Sequence, residues 1–302
     1  MRRKDQVDAF GAAALVGFSA LLGFNQVVVK LVNGGLQPVF NAGLRSVLAA
    51  VVVLAWMRWR NVPLRGEPGT LAWGMLSGAV FGAEFLCLFI AIDLTTVARV
   101  SVIFYSMPIW LAIMAHLLVS GDRLTARKVL GLALAMAGVA WAILDRDSGQ
   151  GTLGGDLLAL AGALGWAAIA LITKVSPFSR LEPEAQLFWQ VAVSAPLLLL
   201  LAPLFGPLIR DFHPVLALGV AFQVALVAVG FLCWFWLLKV YPASGVASFA
   251  FLSPVFGVVF GWLVLGETVG LSLWGALALV AAGLVLINRA PRVAAISAQT
   301  GR

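Results

Sequence analysis

Two side chains of opposite charge stand inside long apolar runs of the sequence, where charged residues are rare. Arg45 lies in the run 38–57 and Glu84 in the run 70–92. If both runs cross a membrane, residues 38 and 92 lie at its outer face. At a helical rise of 1.5 Å per residue, Arg45 then lies about 10 Å below that face and Glu84 about 12 Å below it. Equal depth on neighbouring spans predicts an intramembrane ion pair. The pair is either structural or faces a cavity where Glu84 takes up a substrate ammonium group or a proton.

Three uncharged side chains are further candidates for substrate binding. Tyr105 and Trp166 stand well inside apolar runs, and their rings combine apolar surface with a polar group. Ordinary packing is the alternative for both, because the chain has 19 Phe and 11 Trp. Asn25 is an amide within the first run, and it either bonds a neighbouring helix or contacts a substrate carboxylate or ammonium group.

Pro108 and Pro254 occupy corresponding positions in two apolar runs. Proline removes a backbone donor and can kink a helix. The pair therefore predicts either two hinges of a moving protein or two fixed bends that shape the bundle.

The correspondence of the two prolines belongs to an internal repeat. A shift of 146 positions superimposes 85–110 on 231–256, with Cys87 on Cys233 and Pro108 on Pro254. At a shift of 145, Gly121-Asp122 meets Gly266-Glu267. The sequence therefore predicts a duplication of about half the chain.

The composition indicates that lipid is the solvent of most of the chain. Of 302 residues, 62% are hydrophobic and 11% charged, with a mean hydropathy of +1.02, whereas soluble proteins carry about 25% charged residues. Runs of about 20 apolar residues favour membrane-spanning helices, because a helix satisfies its own backbone groups. The ten predicted spans are 9–32, 38–57, 70–92, 97–119, 126–144, 156–174, 184–206, 214–238, 243–265 and 270–288.

The distribution of Lys and Arg predicts the topology. With the N-terminus in the cytoplasm, fifteen of the twenty Lys and Arg residues fall on the cytoplasmic side and three on the other. Both termini are then cytoplasmic, and the net charge of +7 reflects topology rather than nucleic-acid binding.

Five spans per repeat is an odd number, so the second copy must enter the membrane inverted. The expected fold is an all-α membrane protein whose ten transmembrane helices form two inverted five-helix repeats around a central cavity. Residues 1–147 form the first repeat, 148–290 the second, and 291–302 a short disordered cytoplasmic tail. Inverted repeats with a site near the midplane are typical of secondary transporters.

Several of these features together resemble the drug/metabolite transporter superfamily, EamA-type, and most closely its YddG-type amino-acid exporters. The resemblance implies ten helices in the inner membrane, a cavity lined by spans one to four and six to nine, and export of aromatic and other neutral amino acids. It also favours Glu84, Tyr105 and Trp166 as cavity residues, and a departure at Ala83 predicts a wider cavity or an altered substrate range. The residues that carry it are Arg45, Glu84, Tyr105, Pro108, Gly165-Trp166-Ala167-Ala168, Pro254, Leu265-Gly266-Glu267 and the segment from Gly275 to Gly283.

Three classes of function stay open at this stage. The first is export of small neutral amino acids by alternating access, with proton coupling undecided. The second is transport of a nucleotide-sugar, drug or lipid precursor on the same fold, although phosphates would favour more cavity cations than Arg45 and Lys30. The third is a membrane receptor or scaffold, which gives no reason for an inverted duplication. We expect no enzyme activity, cofactor or metal site, because no phosphate loop, catalytic carboxylate pair or zinc spacing occurs.

Overall fold

The computed structural model describes residues 7–64, 66, 68–119, 124–145, 151–242, 246, 249 and 251–288. Within these residues every regular element is a helix, apart from one isolated bridge between Leu36 and Ile209. The predicted all-α architecture is therefore confirmed for the described part of the chain. The predicted tail, 291–302, lies outside it.

Twelve α-helices make up the described bundle. They are α1 (Ala9–Gly35), α2 (Pro38–Arg60), α3 (Thr70–Leu94), α4 (Val97–Phe104), α5 (Met107–Leu118), α6 (Ala126–Leu144), α7 (Leu153–Val175), α8 (Pro183–Leu201), α9 (Leu216–Ala225), α10 (Phe231–Val240), α11 (Leu252–Leu265) and α12 (Leu271–Asn288).

Eight segments of the described chain are long and apolar enough to cross a membrane, and α11 and α12 are shorter apolar helices. The pair α4–α5 counts as one such segment, and so does α9–α10. The full count of ten spans stays a prediction.

Two of these long segments are interrupted in the middle. The segment α4–α5 breaks at Tyr105 and Ser106, and Ser106 donates to the carbonyl of Ile103 at 3.2 Å instead of continuing the α-helical pattern. A π-helical turn, Leu226–Gly230, joins α9 to α10. Such irregular turns within helices are frequent at functional sites.

Hydrogen bonds between helix ends define the two ends of the bundle. At one end, which we call the Asp8 end, α1 begins and the hydroxyl of Tyr241, after α10, donates to Asp8 at 2.8 Å. At the other, the Asp93 end, α3 finishes and Arg210, before α9, binds Asp93 at 3.0 Å.

Polar side chains fix where several helices begin. Asp8 accepts from the N–H of Gly11 at 2.8 Å, Thr96 from Arg99 at 3.2 Å and Thr152 from Gly155 at 3.1 Å. These N-caps satisfy backbone donors that the helix itself leaves unpaired, so they set the register of α1, α4 and α7.

Three glycines four residues apart bring α3 close to α8. A Cβ atom added at Gly78 would lie 2.6 Å from the carbonyl oxygen of Trp189 and 2.5 Å from Cβ of Val193. Gly74 faces Trp189 in the same way, and Gly82 faces Leu197. Close approach of this kind is the main packing device of helices in lipid.

Gly78→Ala is expected to lower the thermal midpoint of the detergent-solubilised protein, because α8 must move to admit the methyl group. The matched control is Gly17→Ala, since an added Cβ there meets nothing within 4 Å. Alanine favours helix over glycine by about 1 kcal/mol, so the control is expected to hold or raise the midpoint. Equal midpoints for the two variants would contradict the packing role of Gly78.

Candidate functional site

A cavity of about 470 Å³ lies inside the bundle. Its volume falls in the range of about 300–1,000 Å³ that is usual for small-molecule sites. The wall is formed by α1, α2, α3, α4, α5, α7, α8, α10, the π turn, Val246, Phe249 and the start of α11. Both interrupted segments therefore contribute to the wall where their helical pattern breaks.

The cavity brings together every side chain that the sequence predicts for substrate binding. Asn25, Glu84, Tyr105 and Trp166 all line it, and so does Arg45. These residues come from five different helices or helix ends, and only the fold places them on one surface.

Arg45 is almost fully buried, with 1% of its surface exposed. Its guanidinium carbon lies 3.9 Å from the ring centre of Phe85 and 4.9 Å from that of Phe89. Among the described residues, its Nε and Nη2 atoms have no hydrogen-bond partner. The cation is thus held by aromatic faces, which leave these two nitrogens available to an anionic group.

Glu84 is 3% exposed, and its Oε2 atom also lacks a hydrogen-bond partner within the described part of the chain. It lies on α3 against Gly165 of α7, where an added Cβ atom would be 3.1 Å from Cβ of Glu84. The small residue on α7 therefore leaves room for the carboxylate beside the cavity.

Arg45 and Glu84 face one cavity, but the described residues show no hydrogen bond to the unpartnered atoms of either side chain. The direct ion pair therefore stays a prediction. A buried unpaired polar atom is costly, so a pair of such groups with opposite charge marks a place where a ligand can complete the bonding.

The aromatic part of the wall is a cluster of three rings. Phe104 and Trp166 are stacked with ring centres 5.1 Å apart, and the ring of Tyr105 meets Trp166 edge-on at 6.2 Å. Tyr105 is at the break between α4 and α5, so the interruption of the helix directs its position. Phe81 and Phe85 supply further aromatic surface to the cavity.

The amides of the wall include residues that sequence reasoning did not select. Oδ1 of Asn25 and Oε1 of Gln26 are both buried without a partner, and Gln186 and Gln190 also line the cavity. Gln26 follows Asn25 directly, and only the helix geometry reveals that both reach the cavity. By contrast, Ala83 is exposed and does not line this cavity, so the wider cavity does not come from this position, and the altered substrate range stays a prediction.

The two prolines predicted as hinges occupy the first turn of their helices. Pro108 is the second residue of α5 and lines the cavity, and Pro254 is the buried third residue of α11. A proline in a first turn costs little, because the N–H it lacks would have no helical acceptor there. Their role as hinges stays a prediction.

Comparison with known proteins assigns the chain to a family. The model of the EamA-like transporter family matches the chain twice, at residues 9–144 and 153–289. The two matches agree with the internal repeat seen in the sequence.

Several individual proteins are similar over nearly their whole length. The "Probable amino-acid metabolite efflux pump" of Escherichia coli is 30% identical over 95% of both chains. The protein of the same name in Salmonella typhimurium is 30% identical over 89% of this chain and 93% of its own. The "Uncharacterized transporter YoaV" of Bacillus subtilis is 22% identical over 90% of this chain and 94% of its own.

A solved structure described only as "Crystal structure of protein" has the same fold. It matches with a TM-score of 0.62 and 24% identity over 91% of this chain and 96% of its own. With the two family matches, the apolar helices and the relatives at 30% identity, the chain belongs to the EamA-like transporter family and is a multi-pass membrane transporter built from two repeats.

Proposed function

We propose that the protein exports small neutral amino acids, including aromatic ones, and related metabolites across the inner membrane, as a secondary transporter or facilitator working by alternating access. The observation that carries this proposal is that two buried side chains of opposite charge line the cavity, each with polar atoms that lack a hydrogen-bond partner among the described residues. A neutral amino acid carries one carboxylate and one ammonium group, and Arg45 and Glu84 offer the complementary charges. The names of the relatives at 30% identity point to the same substrate class.

The proposed binding mode assigns a part to each candidate residue. Arg45 binds the carboxylate, while Glu84 and the oxygen of Asn25 accept from the ammonium group, and Glu84 can instead hold a proton. Tyr105 and Trp166 contact the variable side chain. Pro108 and Pro254 are the proposed hinges, one in each repeat.

The proposed topology is ten crossing helices in two inverted repeats, residues 1–147 and 148–290, with a cytoplasmic tail at 291–302. Two hydrogen bonds whose donors are related by the repeat shift lie at opposite ends of the bundle and support the inversion. Thr95 donates to Asp156 at 3.0 Å at the Asp93 end, and Tyr241 donates to Asp8 at 2.8 Å at the Asp8 end. Thr95 and Tyr241 are 146 positions apart, which is the repeat shift. Both proposed termini are cytoplasmic.

Purified protein in liposomes tests the proposal directly. Counterflow of labelled phenylalanine, alanine and glutamate is measured with and without a pH gradient. We expect flux of the two neutral amino acids above that of empty liposomes and little flux of glutamate. Dependence on the gradient would identify protons as the coupled partner. No flux of any neutral amino acid would contradict the proposed substrate class.

Trp166→Ala is expected to raise the KM for phenylalanine about fivefold, with a much smaller change for alanine. The reason is the loss of one ring contact, which is worth about 1 kcal/mol. Trp262→Ala is the matched control, since Trp262 is 54% exposed on the outside of α11. Equal changes for the two substrates in Trp166→Ala would show that this ring does not contact the substrate side chain.

A further inference from the structure

The corner between α3 and α4, residues 93–99, closes the cavity at the Asp93 end. The lining residues nearest to that end are Gln26 in α1, Leu88 in α3 and Phe104 in α4, each well short of the corner. The packed parts of α1, α3 and α4 beyond these residues, together with the corner itself, therefore separate the cavity from the Asp93 end.

The wall extends much further towards the opposite end. There it reaches Thr173, near the end of α7, and Gln186, in the first turn of α8. The structure is thus asymmetric, with the cavity directed to the Asp8 end and sealed from the Asp93 end.

A lysine holds the last turn of α3. Nζ of Lys30 donates to the carbonyls of Ile92, Asp93 and Thr95 at 2.6, 3.1 and 3.0 Å. A cation on the free carbonyls of a helix C-terminus is favourable both as hydrogen bonding and as charge on the helix dipole. This contact lies within the first family repeat.

A carboxylate from the second repeat holds the first turn of α4. Oε1 of Glu267 accepts from the N–H of Val97 at 2.7 Å, and Oε2 accepts from Ala98 at 2.9 Å. Burial raises the pKa of the Glu267 carboxyl, although both N–H donors and Lys30 oppose the shift. The ionised group is therefore less favourable here than in water, even with both bonds made.

A second tie between the repeats is more deeply buried. Arg99 of α4 is bound to Asp156 of α7 at 2.7 Å, and the two side chains are 2% and 0% exposed. Arg99 also donates to the carbonyls of Ala142 and Asp145. Separating such a pair leaves two buried charges without partners, so it belongs to the permanent framework.

Glu267 differs from this pair in ways that allow it to move. It is half-buried, and it follows Gly266, whose left-handed φ of 65° ends α11. If Glu267 withdraws, Thr96 still caps α4, and water can reach Val97 and Ala98 once that end is open. The contact between Glu267 and α4 can therefore break without leaving buried groups unpaired.

We propose that Glu267 is the removable closure of the Asp93 end: its carboxylate holds α4 against the end of α11, and the cavity opens there only when Glu267 leaves the α4 N-terminus. The proposal rests on the alternating access proposed above and identifies Glu267 as a positioning residue of that cycle.

A buried reporter next to this contact allows a test without substrate. Ser101 of α4 is 0% exposed and packs against α11, where a Cβ atom on Gly257 would lie 2.6 Å from Cβ of Ser101. Ser101→Cys in a Cys87→Ser, Cys233→Ser background is labelled with a membrane-impermeant maleimide in proteoliposomes. The reporter reacts only when α4 and α11 separate.

Glu267→Ala is expected to raise the labelling rate of the Ser101 reporter about fivefold, the change that loss of a helix cap gives in an open-to-closed ratio. Glu267→Gln, which keeps one acceptor, is expected to be labelled at a rate between those of the natural Glu267 and of Glu267→Ala. Glu267→Asp is expected to be labelled slowly, as with the natural Glu267. A second reporter, Ser46→Cys in α2, is equally buried and should stay unreactive throughout.

An unchanged rate at Ser101 in Glu267→Ala would overturn the proposal. Equal increases at Ser101 and Ser46 would also overturn it, because they would show general loosening of the bundle. If Glu267→Ala does not fold, the comparison of Glu267→Gln with Glu267→Asp decides the question in the same way. If labelling changes as expected but the protein transports no amino acid, the result would support this closure and contradict the proposed substrate.

Discussion

Glu84→Gln is expected to reduce flux of neutral amino acids in proteoliposomes at least about tenfold while the protein remains folded. Glutamine has nearly the shape of glutamate but no charge, so it cannot balance a substrate ammonium group at a site that is 3% exposed. Removing one partner of a buried charge pair costs about 2–5 kcal/mol, and a factor of ten needs only about 1.4 kcal/mol.

The control for this substitution is Glu182→Gln, which removes the same charge from a side chain that is 57% exposed in a loop. We expect no loss of flux there. N-acetyl-phenylalanine, which has no ammonium group, provides a second readout as a competitor. It should compete poorly with phenylalanine in the natural protein and relatively better in Glu84→Gln.

Flux of Glu84→Gln within about twofold of the natural protein would contradict a substrate role for Glu84. Should the single variant fold poorly, Arg45→Gln combined with Glu84→Gln removes both charges and avoids an uncompensated arginine. Loss of flux in a well-folded double variant would then support a substrate role for the two charges together.

Asp156→Ala is expected to have the largest effect on stability of any single substitution considered. It leaves Arg99 buried without its counter-charge, which costs about 3–5 kcal/mol. We expect a fall of roughly 10 °C in the thermal midpoint of the detergent-solubilised protein, from the usual relation of free energy to midpoint. The measurement is fluorescence-detected size exclusion after heating.

Arg210→Met provides the matched comparison on the same corner. Its pair with Asp93 is bound at 3.0 Å, but the two side chains are 37% and 23% exposed. Exposed pairs contribute only about 0–1 kcal/mol. Replacing both members of the buried pair, Arg99→Met with Asp156→Leu, should restore part of the midpoint. Similar midpoints for Asp156→Ala and Arg210→Met would contradict the assigned difference in burial.

Much of the bundle could be predicted because lipid leaves a strong signal in the sequence. The predicted spans agree within a few residues with helices such as α2 and α6, since apolar runs and helix caps are local features. The internal repeat was equally visible, because Cys87 with Cys233 and Pro108 with Pro254 preserve its spacing. Arg45 and Glu84 could be brought together by their depth alone, and both line the cavity.

What could not be predicted depends on contacts between distant parts of the chain. The pair of Arg99 with Asp156 could not be predicted, since nothing local in the sequence indicates that the two residues lie side by side. Glu267 was visible in the sequence as part of the repeat and of the family motif. Its contact with α4 was not, because its two acceptor bonds go to Val97 and Ala98 in the other repeat. The interruption at Tyr105 was hidden as well, because Pro108 alone does not reveal where a helix breaks.

That interruption has a consequence for how the family can diversify. The carbonyl of Phe104 lacks its helical donor, because the residue four positions later is Pro108, which has no N–H. Phe104 and Pro108 both line the cavity, so this main-chain acceptor belongs to a residue of the wall. Substitutions at position 104 or 105 can therefore change the shape of the cavity for new compounds, while the main-chain acceptor is retained as long as Pro108 is kept.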